Sequence, residues 1–220
     1  MTRILIVGAG GHAQVIADLI LNYASSDKDL QLMGFVDDNP ELFGHEIFGV
    51  KVLGHIGRIN EFEHDAVVVG IGDNARRARV FDQLKQRGER PISLVHPRAT
   101  VADDIVLGEG SVVFAGAVIN TGSIVNVNVI VNSGATIDHH ARVGAHVHVA
   151  PGVHLGGAVT VEEGAFLGIG CSVIPKRTIG AWSVVGAGAA VVHDLPAHVT
   201  AVGVPARIIK THPLLDQQTT

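Results

Sequence analysis

The chain has 220 residues, 47% of them hydrophobic, which is room and apolar content enough for two small domains with packed cores. Sixteen Lys and Arg against 21 Asp and Glu leave a net charge of -5, so there is no broad basic surface for nucleic acid or an anionic membrane. No apolar run reaches membrane-spanning length, the lone Cys171 excludes a disulfide within the chain, and RILIVGAGG after Met1 leads into a motif rather than a cleavage site. The cytoplasm is therefore the expected compartment.

In chain order, RILIVG (3–8) predicts a buried strand, GAGGHA (8–13) a tight turn, and the apolar-periodic VIADLILNYA (15–24) a helix. LQLMGFVDDN (30–39) is strand-like and ends in two acids. After a glycine-rich loop, DAVVVGIG (65–72) predicts another buried strand. DNARRARVFDQLKQRG (73–88) predicts a helix capped by Asp73 or Asn74, with Ala78, Phe81 and Leu84 on one side. ISLV (92–95) is a last short strand before His96 and Pro97. Strands alternating with helices predict a small parallel βαβ domain, Rossmann-like, over residues 1–97.

Gly8, Gly10 and Gly11 stand between a strand and a helix, where backbone N–H groups and a helix N-terminus hold a diphosphate without basic side chains. Asp37 and Asp38, at the end of the second strand, suit ribose hydroxyls. A nicotinamide dehydrogenase shows the same turn. This segment, however, is about half a dinucleotide fold and no second mononucleotide half follows it. A nucleotide carrying some other group fits better.

From Val101 to Pro196 the sequence keeps a period of six for 96 residues, beginning VADDIV, LGEGSV, VFAGAV, INTGSI. Each of the 16 hexads opens with Val, Leu or Ile, and the fifth place is Ser, Ala, Cys or Val in 13 of them. A helix returns its apolar residues every three or four positions, so this period belongs to a parallel β-helix over residues 98–220. First and fifth places are expected inside, with Gly, Asn and Asp at the corners. Three hexads close one triangular coil, giving about five coils. Cys171, at a fifth place, is expected to be a buried thiol, and Val127 and Val147 are expected to face outward against a partner.

These repeats, together with GAGGHA, FVDDN, GIGDN (70–74) and AVGVPARIIK (201–210), resemble the sugar O- and N-acyltransferases of the hexapeptide-repeat superfamily. The groups most similar are the sialic acid O-acetyltransferases and the bacillosamine- and perosamine-type N-acetyltransferases. The resemblance implies a left-handed coil, a homotrimer with acetyl-CoA at the subunit seams, and direct acetyl transfer without a metal. The implied acceptor is the 4-amino group of a nucleotide-linked sugar, in bacterial surface glycan biosynthesis. O-acetylation of sialic acid or another sugar is the alternative.

The resemblance also implies roles. Gly8, Gly10, Gly11, Asp37 and Asp38 would meet the nucleotide, and His12 either contacts substrate or simply opens a helix. His139 would be the general base, since an imidazole with an unperturbed pKa near ~6.5 accepts a proton at neutral pH. The family commonly has Glu or Asp directly after this histidine, and here the residue is His140. Asp138 precedes it, but neighbours on a strand point to opposite faces. His148 would lie near the thioester and Asn132 near the sugar, while Gly157, Ile169 and Gly186 to Gly188 would meet the pantetheine arm. Lys176, Arg177, Arg207 and Lys210 read as surface charge within reach of coenzyme phosphates, and His146 and His154 as surface histidines. Two other functions share parts of the pattern. A gamma-class carbonic anhydrase would use such histidines for zinc but needs no nucleotide-like domain. A non-catalytic nucleotide-sugar sensor would bind without transferring acetyl.

Overall fold

Ile4 to Val7 have no exposed surface, and their burial makes Thr2–Val7 (β1) an inner strand of a five-stranded sheet. The computed structural model describes residues 1–22 and 30–213. The chain divides into two compact units, Met1–Pro97 and Arg98–Thr220.

In the first unit, β1 is followed by helix α1 (Gly11–Asn22), and Leu30–Val36 (β2) pairs parallel with β1. Glu46–Ile47 (β3) and Val50–Gly54 (β4) form a hairpin that extends the sheet beyond β2. Ala66–Val69 (β5) pairs with β1 on its other side and leads into helix α2 (Asn74–Gln86). The order is β3-β4-β2-β1-β5. Continuous burial of AVVV in β5 is what a parallel sheet covered on both faces requires. Helix α1 begins at Gly11, earlier than its apolar periodicity suggested, so the glycine turn itself forms its first turn. The expected last helical residues, Tyr23 and Ala24, lie outside the described residues. Asp73 is the cap of α2, accepting from Arg76 N at 2.8 Å, and Ala78, Phe81 and Leu84 are buried beneath it. The last strand is shorter than expected, Leu94–Val95.

The second unit is a left-handed parallel β-helix. From Thr100 to Val191 its strands are two residues long and pair with positions 18 residues away, as in Val118↔Thr136 and Thr136↔His154, and the longer Val199–Val202 and Arg207–Thr211 end it as an antiparallel pair. Three hexads thus make one coil with three faces. Face one contains Ile130–Val131 and His148–Val149, face two Thr136–Ile137 and His154–Leu155, and face three Ile124–Val125 and Arg142–Val143. First-place residues from Val113 to Val191 are at most 3% exposed, which places them in one continuous interior. Fifth-place residues from Ser111 to Leu195, Arg177 excepted, fill the same interior. Where the fifth place is Ser, the hydroxyl is satisfied: Ser123 donates to Asp138 O at 3.0 Å and accepts from Ala141 N at 3.2 Å.

Every fourth place from Gly110 to Gly188 has a positive φ, between 55° and 71°. The corner demands a left-handed residue, so glycine is the cheapest choice and a side chain there costs about 1–2 kcal/mol. His140 and His146 are two of the exceptions. Val147 corrects an expectation: it is a fifth-place residue with no exposed surface, because the count from Val143 turns it inward, and it cannot meet a partner. Val127 is half-buried. Among the described residues no helix is long and apolar enough to cross a membrane.

Candidate active site

The first unit has a cavity of about 340 Å³ lined by Gly8, Gly10, Gly11, His12 and Asp37 together with Gly70 to Asp73 and Arg76. Its position follows from the strand order. The chain leaves β1 toward β2 on one side and returns to β5 on the other, and a crevice opens beyond the carboxyl ends of strands at such a switch point. Helices α1 and α2 both start there, so the positive ends of two helix dipoles are at hand for an anion. Gly8, at φ 105°, lies so close to the next turn that a Cβ would sit 3.1 Å from Gly70 O.

Asp37 does something the sequence did not suggest. One of its oxygens accepts from Ala9 N at 2.8 Å and the other from Asn39 N at 2.9 Å, so the carboxylate holds the glycine turn in shape. Asp38 is outside the cavity lining and is paired with His55 at 3.1 Å and Arg76 at 3.6 Å. His12 is held neutral: burial first, and then the charge of Arg77, lower its pKa to about 4. The expected set missed GIGD at 70 to 73 as a second glycine turn, although the same strand-glycine-helix signal was present there.

In the second unit, His139 and His140 stand at the third and fourth places of their hexad, on the ridge where face two turns into face three. Their Nδ1 atoms are 3.0 Å apart and the rings meet edge to face at 82°. Each ring leans over a glycine of a neighbouring coil. A Cβ on Gly157, one coil above, would sit 2.6 Å from Nε2 of His139, and a Cβ on Gly122, one coil below, would sit 2.9 Å from Cδ2 of His140. Gly157 therefore makes room for the His139 ring.

Asp138 also departs from expectation. Because His139 stands on a corner rather than in a strand, the alternation rule does not separate the two. Asp138 Oδ1 accepts from His139 N at 2.8 Å, and Oδ2 lies 4.0 Å from His139 Nε2. That backbone N–H first, and then Asn120, hold the Asp138 carboxyl below the usual carboxylate range. A groove of about 380 Å³ runs up face two beside this ridge, lined by Asn120, Thr136, Asp138, His154 and Ile174 among others.

Asn132 and His148 form a second group. Asn132 Nδ2 is 3.3 Å from His148 Nε2, and His148 is buried edge-on against Phe166. Asn132 stands on the ridge between faces one and two, as do Gly186 and Gly188, and Ile169, 61% exposed, accepts from Gly188 N at 2.8 Å. Within one chain, then, the expected residues of the repeat fall on two separate ridges. His146 is not a surface histidine: it is 7% exposed, with Nδ1 at 2.8 Å from Asn128 Nδ2. Its left-handed corner folds the ring back onto the coil below. Burial raises the Cys171 thiol to about 12, leaving it inert. Among the described residues no group of three or more His, Cys, Asp or Glu is placed to hold a metal ion.

Known proteins share both halves. Residues 3–84 match the PglD N-terminal domain. A 119-residue stretch is 38% identical to the UDP-N-acetylbacillosamine N-acetyltransferase of Bacillus subtilis, covering 52% of each, so the chain spans about half the length of that curated relative. Solved structures match almost end to end. PerB from Caulobacter crescentus, in complex with CoA and GDP-perosamine, is 38% identical with a TM-score of 0.85, over 93% of this chain and 96% of that one. The acetyltransferase domain of PglB from Neisseria gonorrhoeae is 31% identical with a TM-score of 0.85, over 95% of this chain and all of that one. A glycine-turn domain and a left-handed β-helix, matched together along more than nine tenths of the chain at this identity, show that it belongs to the sugar O-/N-acyltransferase family of the hexapeptide-repeat superfamily.

Proposed function

We propose that the protein is an N-acetyltransferase that moves acetyl from acetyl-CoA to the 4-amino group of a nucleotide-linked sugar. The observation that carries this reading is an exposed imidazole, His139, whose Nδ1 edge is engaged by His140 at 3.0 Å. Its Nε2 edge, with Asp138 Oδ2 4.0 Å away, accepts the proton. The amine attacks the thioester carbonyl carbon, its proton passes to Nε2, the C–S bond breaks, and the sulfur leaves as the thiol on taking that proton back. No metal enters this sequence of steps.

The nucleotide fits the cavity of the first unit, where two helix N-termini and Arg76 meet its phosphates and Asp37 keeps the turn in place. Asn132 and His148 serve the acceptor and the thioester, and Gly157, Ile169, Gly186 and Gly188 the pantetheine arm. Because these residues occupy two ridges of one chain, a homotrimer that sets the His139 ridge of one copy against the His148 ridge of the next completes each site. The cytoplasm, where acetyl-CoA and nucleotide sugars are both present, is the compartment that suits this chemistry.

A thiol-release assay with acetyl-CoA against UDP-, GDP- and dTDP-linked 4-amino sugars and free sialic acid tests the reading. Turnover with one of the amino sugars is expected. Turnover with sialic acid alone would assign O-acetylation, and nucleotide-sugar binding without thiol release would reduce the protein to a sensor.

A further inference from the structure

The catalytic ridge lacks the carboxylate that would ordinarily follow His139, and His140 takes its position. The coil geometry shows where a carboxylate has gone. Residues 18 apart stack in one column, and the column of His140 runs down through Gly122 to Asp104, all three at the fourth place of their hexads. Gly122 has no side chain, and the His140 ring lies down over it, so that a Cβ there would be 2.9 Å from Cδ2 and 3.1 Å from Nε2. From below, Asp104 reaches the same glycine: its Oδ2 accepts from Gly122 N at 3.0 Å and from Thr121 Oγ1 at 2.7 Å. The imidazole and the carboxylate thus approach one side-chain-free residue from opposite sides. The Thr121 hydroxyl first, then the Gly122 N–H and the charge of His140, keep Asp104 ionised below the usual carboxylate range.

The geometry points to Asp104 as the carboxylate of this site, a positioning residue that acts on His139 through His140 across the gap left by Gly122. In the resting state His139 carries its proton on Nδ1 and donates it to Nδ1 of His140, whose own proton is on Nε2. When Nε2 of His139 takes the amine proton, the Nδ1 proton shifts to His140. The positive charge then resides on the ring nearest Asp104. When the thiolate leaves, the shift reverses and the proton returns to sulfur. No proton is gained or lost over the cycle. Asp104 faces this pair from the column below and Asp138 from its own corner.

This inference rests on the acetyltransferase reading, and its test separates the two. Asp104→Asn keeps an oxygen for Thr121 and Gly122 and removes only the charge. Its kcat is expected to fall about tenfold, with the KM values for acetyl-CoA and sugar within about twofold and the acid limb of the pH–rate profile moved to lower pH. In a double-mutant cycle with His140→Gln, the two losses should not add, because Asp104 acts through His140. His140→Glu, which sets a carboxylate directly against His139, should make Asp104→Asn silent. NMR titration of the two imidazoles, assigned with His139→Gln and His140→Gln, reads the same effect without turnover. Their midpoint should fall by about half a unit or more in Asp104→Asn. Failure of wild type to release thiol, with the NMR shift present, would count against the transferase reading alone. Additive losses, an unmoved acid limb or an unmoved NMR midpoint would overturn the role of Asp104.

Discussion

The two candidate regions are built from different material. In the first unit the cavity is walled mostly by backbone: two glycine turns, two helix N-termini, and a carboxylate, Asp37, spent on holding Ala9 N and Asn39 N. On the β-helix the proposed chemistry falls to side chains raised on a repeat, with His140 at φ 58° in a corner that favours glycine. Backbone suits a ligand recognised by charge and shape, because main-chain donors cannot titrate or swing away. A proton transfer needs a titratable ring, and the repeat supplies a rigid stand with the neighbouring side chains trimmed to Gly122 and Gly157. Binding and chemistry should therefore respond to different substitutions.

The largest expected effect is at the ridge. His139→Ala should lower kcat by about 100-fold or more while acetyl-CoA still binds, the usual scale for a missing general base. Steady-state kinetics with calorimetric binding of acetyl-CoA check this, and full activity would sink the assignment.

Gly157→Ala sharpens the point without replacing His139 itself. Its Cβ would come within 2.6 Å of His139 Nε2, so the ring must swing away. A kcat loss of about tenfold or more is expected, since displacements of about 1 Å cost on that scale or above. An unchanged melting curve would show that the coil itself tolerates the methyl group.

Asp37→Ala should do the reverse of the ridge variants. Removing the acceptor for Ala9 N and Asn39 N loosens the glycine turn, at about 1.5–3 kcal/mol for charge-assisted bonds, and should raise the nucleotide-sugar KM about tenfold or more. The acetyl-CoA KM should stay within about twofold. Equal increases for both substrates would dissolve the division of labour between the two regions.

The smallest effect is on stability. His12 has a folded pKa of about 4, below its ordinary value of 6.5. The unfolded chain therefore binds more protons between these values, and stability is complete above about pH 6.5 and lost as pH falls toward 4. His12→Asn should flatten the pH dependence of urea unfolding in that window by on the order of 2 kcal/mol. An unaltered slope would mean that the ring is already solvated.

Much of the fold could be read from the sequence because both signals are local. A period of six follows from stacking each hexad on its neighbours, and every first-place residue from Val113 to Val191 is buried as that period requires. The strand-glycine-helix turn at Gly8 was equally legible. The turn at Gly70 carries the same signal, yet GIGDN reads from sequence as a strand end and a family motif rather than as a second wall of the cavity. His146 and Val147 were misplaced for one reason. Their outward or inward sense depends on counting the hexad place, since the fourth place sends a side chain along the corner and the fifth sends it inside.

What the sequence determined by itself is the repeat, its inward residues, the glycine turn and the presence of histidines on a corner, since each arises within one hexad or one βα unit. What only the tertiary structure decided is which groups meet across coils. Asp104 is 36 residues from His140, and nothing in the local sequence of either points to the other. They approach only because two turns of 18 residues close above one another and Gly122 between them leaves the space open. The same stacking set Gly157 against the ring of His139 and put Asn132 and His148 together beside a different ridge. Contacts of this kind depend on the rise and closure of the whole coil, which no short window of residues contains.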